Sequence, residues 1–374
     1  MRDWLKILTV AGLVFGIPAH GRAEDEDDTP ALSAEAQAAL AAMNATIIER
    51  HVLPRFAALA EAGAALQDAA AAFAAAPDDM GRARLRVAYG ALSDAWQGVQ
   101  HLRFGPSELF MRSSRLMFWP DPRNNVGRQL DALLAAKDTA AFQPEELEKQ
   151  SVAVQGIPAL ERLLFGEDSV SLIDADEDAK LRRAAILGIA QVIADQANGA
   201  SQDWRGGAVD YARLMKATGP DNDFYRTPEE ATVELFKALH LAIEVVADRK
   251  LTRPLGESAD KARPRLLEQW RSGRALDNIR IDLAAAMDLW HAGMADVVRD
   301  RDPALAKDVE DGLSAAIATA DEIEMPLDEA LTDASGRTLV QRLIDQAEAT
   351  KTLLANRVAP VLGIPLGFNA LDGD

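Results

Sequence analysis

The sequence predicts an all-α protein made of two helical bundles packed together. Alanine-rich segments carry apolar residues at every third or fourth position. Leu85, Tyr89, Leu92, Trp96 and Val99 form one such stripe, and Leu276, Ile279, Leu283, Met287, Trp290, Met294 and Val297 form a longer one. Helix-start signals stand at Ser33 and at Thr227, the latter opening a capping box, TPEE, that ends at Glu230. No segment shows the period-two alternation of a strand.

Taken in order, residues 1–23 read as a cleavable secretory signal. A basic start (MRDWLK) precedes the apolar run ILTVAGLVFGI, and small residues at Gly21 and Ala23 place the cut after Ala23. The run is too short to span a bilayer, so no membrane anchor is expected after cleavage. Residues 24–32 form an acidic, disordered N-terminus. Residues 33–216 are assigned to the first bundle, 217–227 to a linker, and 228–374 to the second bundle. The ending APVLGIPLGFNALDGD is too rich in Gly and Pro for a helix and reads as an extended tail carrying Asp372 and Asp374. The expected location is the periplasm.

Composition excludes several functions. Cleavage would remove Arg2, Asp3, Lys6 and Arg22, taking the net charge from −19 to −21. So acidic a surface makes nucleic acid and anionic lipid poor partners. The chain has no cysteine, which rules out disulfides, thiolate metal sites and a cysteine nucleophile. It also lacks HExxH, a GxSxG elbow and a phosphate-cradling glycine loop.

A few residues remain that could carry chemistry. His240 and Glu244 lie one helical turn apart, the spacing at which two ligands face one ion. They are the candidate metal ligands. His101 projects about 160° from Leu85 if the helix runs on at 100° per residue, away from the buried stripe. His51 and His291 have no acidic partner at ligand spacing. Arg103 falls in line with the Leu85 stripe, so it is expected either to pair with Glu161 or Asp121 or to reach for water. Arg280 lies near the apolar line of its own helix. EQWRSGRALDN (268–278) puts Arg271, Arg274 and Asn278 on one helix face, which reads as a small anion site or a solvated face.

VQGIPALERLLFG (154–166) is a helix start. Gly156 and Pro158 break what precedes, proline fits the first turn, and Leu160, Leu163 and Leu164 form the buried stripe. Glu161 sits at the edge of that stripe near the helix N-terminus, where the backbone dipole favours negative charge.

GIPALERLLFG resembles the signature of the imelysin (insulin-cleaving membrane protease-like) family, GxHxxE followed by an LLFG-like stretch. WQGVQHLRFGP (96–106) resembles that family's segment ending in RFG, and FWPDPRN (118–124) its Trp-Pro-plus-acid segment. RKLTRPLG, EQWRSGRAL and LGFNALDGD resemble a proteobacterial periplasmic branch. The resemblance implies an imelysin-like pair of bundles, with the motif near their junction, in a setting of iron or related metal acquisition. Gly156 and Glu161 match the motif, but Pro158 occupies the histidine position. Gln100 stands where metal-binding members carry a glutamate, and Asp121 retains the acid of the Trp-Pro segment. Proline has no ligating side chain and a neutral amide is a far poorer ligand than a carboxylate.

The expectation is therefore a non-catalytic periplasmic protein with a degenerate metal site. It would bind a ligand or an envelope partner within a metal-uptake system, at a junction formed by Gln100, Arg103, Asp121, Glu161, Arg271 and Arg274. No cofactor is required, and a divalent metal or iron is the one left open. The alternatives are a metallopeptidase with ligands from elsewhere (His101 or His240 with Glu161 or Glu244) and an envelope scaffold.

Overall fold

The computed structural model describes residues 32–207 and 209–364. The signal segment with Ala23, nearly all of the acidic 24–32 stretch, and the tail from 365 on lie outside the described residues. Among the described residues there is no strand, and ten helices run nine residues or more. They are α1 (Ala34–Ile47), α2 (Leu53–Ala75), α3 (Asp79–Gln97), α4 (Asn125–Ala135), α5 (Ile157–Phe165), α6 (Glu177–Trp204), α7 (Pro228–Glu244), α8 (Ala275–Leu289), α9 (Pro303–Glu322) and α10 (Ala334–Leu353). No described helix is long and apolar enough to cross a membrane.

Most of these helices start on a side chain that takes up an orphan amide. The Ser33 hydroxyl accepts from Ala36 N at 3.2 Å and the Thr227 hydroxyl from Glu230 N at 3.4 Å. Asp78, Asp176, Asp302 and Asp333 do the same for α3, α6, α9 and α10. At the other end of α9, Arg280 donates to the Ala320 and Ile323 carbonyls at 3.1 Å, which is how its guanidinium is satisfied beside an apolar face. Both predicted stripes face inward: Leu85, Tyr89, Leu92, Trp96, Ile279, Leu283, Trp290 and Met294 are all buried.

In the first half α2 packs between α3 and α6. Gly63 allows the close approach, since a Cβ there would sit 3.2 Å from the Ala194 Cα of α6. In the second half α7, α8, α9 and α10 pack together around Val246, Leu251, Ile279, Leu283, Ala320, Val340 and Leu343. The expected boundary at 217–227 does not separate the two groups. α1 passes through a wide π-helical turn at Ile48–Val52 directly into α2, so residues 34–75 form one continuous rod. Its first part packs against α7 and the 290–301 helical segment of the second half, and its remainder against α3 and α6 of the first. The 217–227 segment itself is pinned. Asn222 donates to the Leu214 and Ala217 carbonyls and accepts from the Phe224 and Tyr225 amides.

Two local expectations are corrected. α3 ends at Gln97 and the chain turns tightly over 98–101, so projecting His101 and Arg103 along a continuing helix fails. His101 is buried, whereas Arg103 lies 41% exposed and pairs with Glu108 at 2.7 Å. Residues 268–274 are turns, with α8 beginning only at Ala275. Gln269 and Gly273 have positive φ there, which no helix face accommodates.

A candidate ligand cleft at the bundle junction

α5 begins as the sequence implies. Gly156 is its cap, its carbonyl accepting from the Ala159 and Leu160 amides at 3.1 Å, and Pro158 occupies the first turn. The glycine is required by close approach. A Cβ at Gly156 would meet the Arg115 and Leu116 carbonyl oxygens at 2.2 and 2.4 Å, both fixed backbone atoms. Gly156→Ala is therefore expected to destabilise the fold by about 3 kcal/mol, the upper range for overpacking. A denaturant melt checks it, and a loss under ~0.5 kcal/mol would mean that the 115–116 backbone yields.

Glu161, on the next turn of α5, is buried to 3% exposure. Its Oε1 accepts from the Ser272 amide at 2.9 Å and the Ser272 hydroxyl at 2.8 Å. Burial pushes its carboxyl up from the usual range, while the Ser272 hydrogen bonds and the nearby Arg271 charge pull it back. Its partner is thus the 268–274 turn rather than Arg103. The acid ties α5 of the first half to a loop of the second.

Behind that loop lies a buried polar core assembled from both halves. Gln97, which ends α3, accepts from Lys250 Nζ through Oε1 at 2.7 Å. The Lys250 ammonium also meets Glu268 Oε2 at 2.8 Å and Asp282 Oδ2 at 2.5 Å, and all three charged side chains are at most 3% exposed. Gln97 and Asn278 each donate to Glu268 Oε2 at 3.1 Å. Gln100 donates to Asp282 Oδ1 at 2.6 Å and to the Gln97 amide oxygen. The Gln269 amide oxygen accepts from Ser93 and Asn278, both at 2.6 Å, while its nitrogen donates to Tyr89 Oη at 2.6 Å. Burial, opposed by Lys250, lifts the Asp282 carboxyl to about 7. The two neighbouring acids raise the Lys250 ammonium against the effect of burial.

In front of the loop is a cleft of about 870 Å³ lined by residues that include Trp119, Asp121, Pro158, Glu161, Trp270 and Arg271. Asp121 caps α4, accepting from Val126 N at 2.8 Å and Asn125 Nδ2 at 3.1 Å. Four arginines line the cleft. Arg162 and Arg182 are paired, with Asp131 at 2.8 Å and Asp168 at 2.6 Å. Arg271 and Arg265 instead flank the Trp270 ring, their guanidinium carbons 4.3 and 5.7 Å from its centre. Neither is in a salt bridge with a described carboxylate. Burial lowers the Arg271 pKa, an effect the Glu161 charge opposes.

The structure thus brings Asp121, Pro158, Glu161 and Arg271 into one cleft and sets Gln100 in the polar core behind it. It sends Arg103 to Glu108 and Arg274 to Asp94, outside the cleft lining, while Asn278 points into the core rather than sharing a face with Arg271. His240 and Glu244 are buried with 3.5 Å between Nδ1 and Oε2. Among the described residues no group of three or more His, Asp or Glu side chains could hold a metal ion. The metal that the family resemblance implies does not fit. Pro158 offers no donor, Gln100 is neutral and already committed, and Glu161 turns one oxygen to Ser272.

Lys250, Glu268, Gln269, Asp282, Trp270 and Arg265 were not among the residues the sequence singled out. Lys250 did leave a signal, since it stands seven residues after buried Ile243 and four after buried Val246, on an apolar stripe. Asp282 stands likewise between Ile279 and Leu283.

The family model described as Imelysin (peptidase M75) matches residues 52–354. No curated protein matches the chain. Among solved structures, the crystal structure of an imelysin-like protein from Psychrobacter arcticum 273-4 superposes with a TM-score of 0.72 at 22% identity, covering 90% of this chain and 99% of that one. A "putative iron-regulated protein A precursor" from Parabacteroides distasonis ATCC 8503 superposes with a TM-score of 0.72 at 15% identity, covering 85% and 94%. At these identities the likeness is one of fold.

Proposed function

The chain belongs to the imelysin family, and from that premise we propose that it is a non-catalytic periplasmic binding protein whose junction cleft takes up a metal as an anionic chelate. The observation that carries this reading is the pair of unbridged guanidiniums, Arg265 and Arg271, flanking Trp270 in a cleft of about 870 Å³ beside Pro158 and Glu161. Arginine presents a planar donor fork that matches carboxylates, and an aromatic face beneath it holds the fork in place. A cleft without a metal-ligand set binds a bare cation poorly, whereas a metal already wrapped in carboxylates presents oxygens to such arginines. The iron-regulated description of the Parabacteroides relative agrees with a cargo of this kind. The export segment read at 1–23 supports the periplasmic assignment. Peptidase chemistry would need an open metal position and a base, and neither Pro158 nor the serine-bound Glu161 supplies them.

Calorimetric titration with ferric citrate, citrate and free zinc tests this. Ferric citrate is expected to bind at one site, and Arg271→Ala to weaken it at least tenfold, about 1.4 kcal/mol. Tight binding of free zinc with none of the chelate would overturn the reading. So would chelator-sensitive cleavage of an unfolded protein.

A further inference from the structure

The polar core behind the cleft has the donor set of a cation site. Gln97 Oε1, Glu268 Oε2 and Asp282 Oδ2 come from α3, the 268–274 turn and α8, and converge on one point at 2.7, 2.8 and 2.5 Å. Two carboxylates and an amide oxygen are ligands for a hard cation, which binds such oxygens at roughly 2.3–2.6 Å when it is calcium. Acceptors outnumber cations there. One ammonium faces two buried carboxylates, and Glu268 Oε1 is buried without a hydrogen-bond partner. A buried ion triad is seldom more stable than well-packed apolar residues, so packing alone does not account for the arrangement.

We infer that the junction is an oxygen-donor cation centre whose ion is the chain's own: the Lys250 ammonium stands where a hard cation would sit. The lysine is held by the π-helical segment Val245–Thr252 that extends α7, so the cation arrives with the fold. The centre joins α3 to α8 and to the turn bearing Trp270 and Arg271. It therefore keeps one cleft wall assembled whatever the metal content of the surroundings. A protein handling scarce metal cargo then has no structural metal to lose. The inference does not depend on what the cleft binds.

Removing the ammonium while keeping the oxygens tests it. Lys250→Ala and Lys250→Ser are expected to unfold at lower temperature than the wild type. In both, millimolar Ca²⁺, Mn²⁺ or methylammonium should recover most of the loss, saturably, with one extra divalent ion bound per chain by calorimetry. The wild type should show neither response beyond the weak multiple binding its acidic surface gives every variant. Asp282→Asn added to Lys250→Ala should abolish the recovery. Lys250→Met, which fills the volume without charge, should fold and bind no extra ion. Folded Lys250→Ala and Lys250→Ser that ignore all three cations would overturn the inference, as would failure of both to fold in any of them. Single-site binding of equal strength by the wild type would do the same.

Discussion

Arg112→Ala is expected to cost about 3–5 kcal/mol of stability, the penalty for removing one partner of a buried ion pair. Arg112 Nη2 lies 2.8 Å from Asp203 Oδ2, and each side chain is 8% exposed. Its Nη1 donates to the Pro106 carbonyl at 3.0 Å and its guanidinium packs on the Phe110 ring. Gly199 of α6 leaves room for the pair, since a Cβ there would sit 2.8 Å from Nη2. The alanine would take the guanidinium from the buried Asp203 carboxylate and leave a cavity beside it. Asp203→Asn should cost less, because the amide still accepts from Arg112, and Arg112→Met with Asp203→Leu should recover most of the loss. Urea melts measure all three. A loss below ~1 kcal/mol for Arg112→Ala, the range of exposed pairs, would show that water reaches Asp203.

Acid should destabilise the fold through two buried histidines, starting as the pH falls below about 6.5. His51 Nε2 and His101 Nε2 are 2.9 Å apart, both rings are buried, and Arg55 Nε donates to His51 Nδ1 at 3.2 Å. The Arg55 bond makes His51 Nδ1 an acceptor, so the His51 proton is on Nε2 and points at His101, whose own proton must then be on Nδ1. A further proton on either ring would break this relay beside a guanidinium. Burial first, then the charge of Arg55, holds His101 down at about 3, and burial with the His101 and Arg55 charges holds His51 well below its ordinary value. The unfolded rings take up protons near 6.5, so between that value and the folded value the unfolded state binds more protons. Stability from the pair is complete above about pH 6.5 and falls below it, by about 1.4 kcal/mol per pH unit for each fully titrating ring. Asp282, lifted to about 7, and Glu161 act in the opposite sense, being favoured as neutral acids in the fold as pH drops. Asp282 and Gln100 share a small pocket with His101, and Asp288 pairs with Arg55 at 2.6 Å. The readout is therefore a difference. His51→Gln with His101→Gln should lower the pH 4–6 slope of unfolding free energy relative to the wild type, the acids' contribution being common to both. Equal slopes would mean that the pair is already charged in the fold.

The helices were legible because burial repeats along them. The Leu85 stripe, the Thr227 cap and the Gly156–Pro158 start each follow from residues within a few positions of one another. What escaped depends on where a helix loses its phase. His101 was projected along a helix that ends at Gln97, and Arg271, Arg274 and Asn278 along one that starts only at Ala275. A wide turn has a similar effect, because the π-helical segment Ile48–Val52 shifts the angular count for every residue after it. The cleft was half legible. Asp121, Pro158, Glu161 and Arg271 came from short motifs, but the partner of Glu161 is a serine 111 residues away, which no local pattern announces. Lys250 escaped because lysine is almost never fully buried unless paired. Its partners lie on other elements.

The continuous rod of residues 34–75 also bears on the order in which the molecule can be completed. Asn44 donates to the Pro228 carbonyl and accepts from the Thr232 hydroxyl, 184 and 188 residues downstream. A helix made early is therefore among the last to find its neighbours, and closing so long a loop slows its docking. Until α7 and the 290–301 segment emerge, the stripe of Leu40, Met43 and Ile47 lacks the main surfaces it is buried against. A partly delivered chain would present that stripe to whatever escorts it.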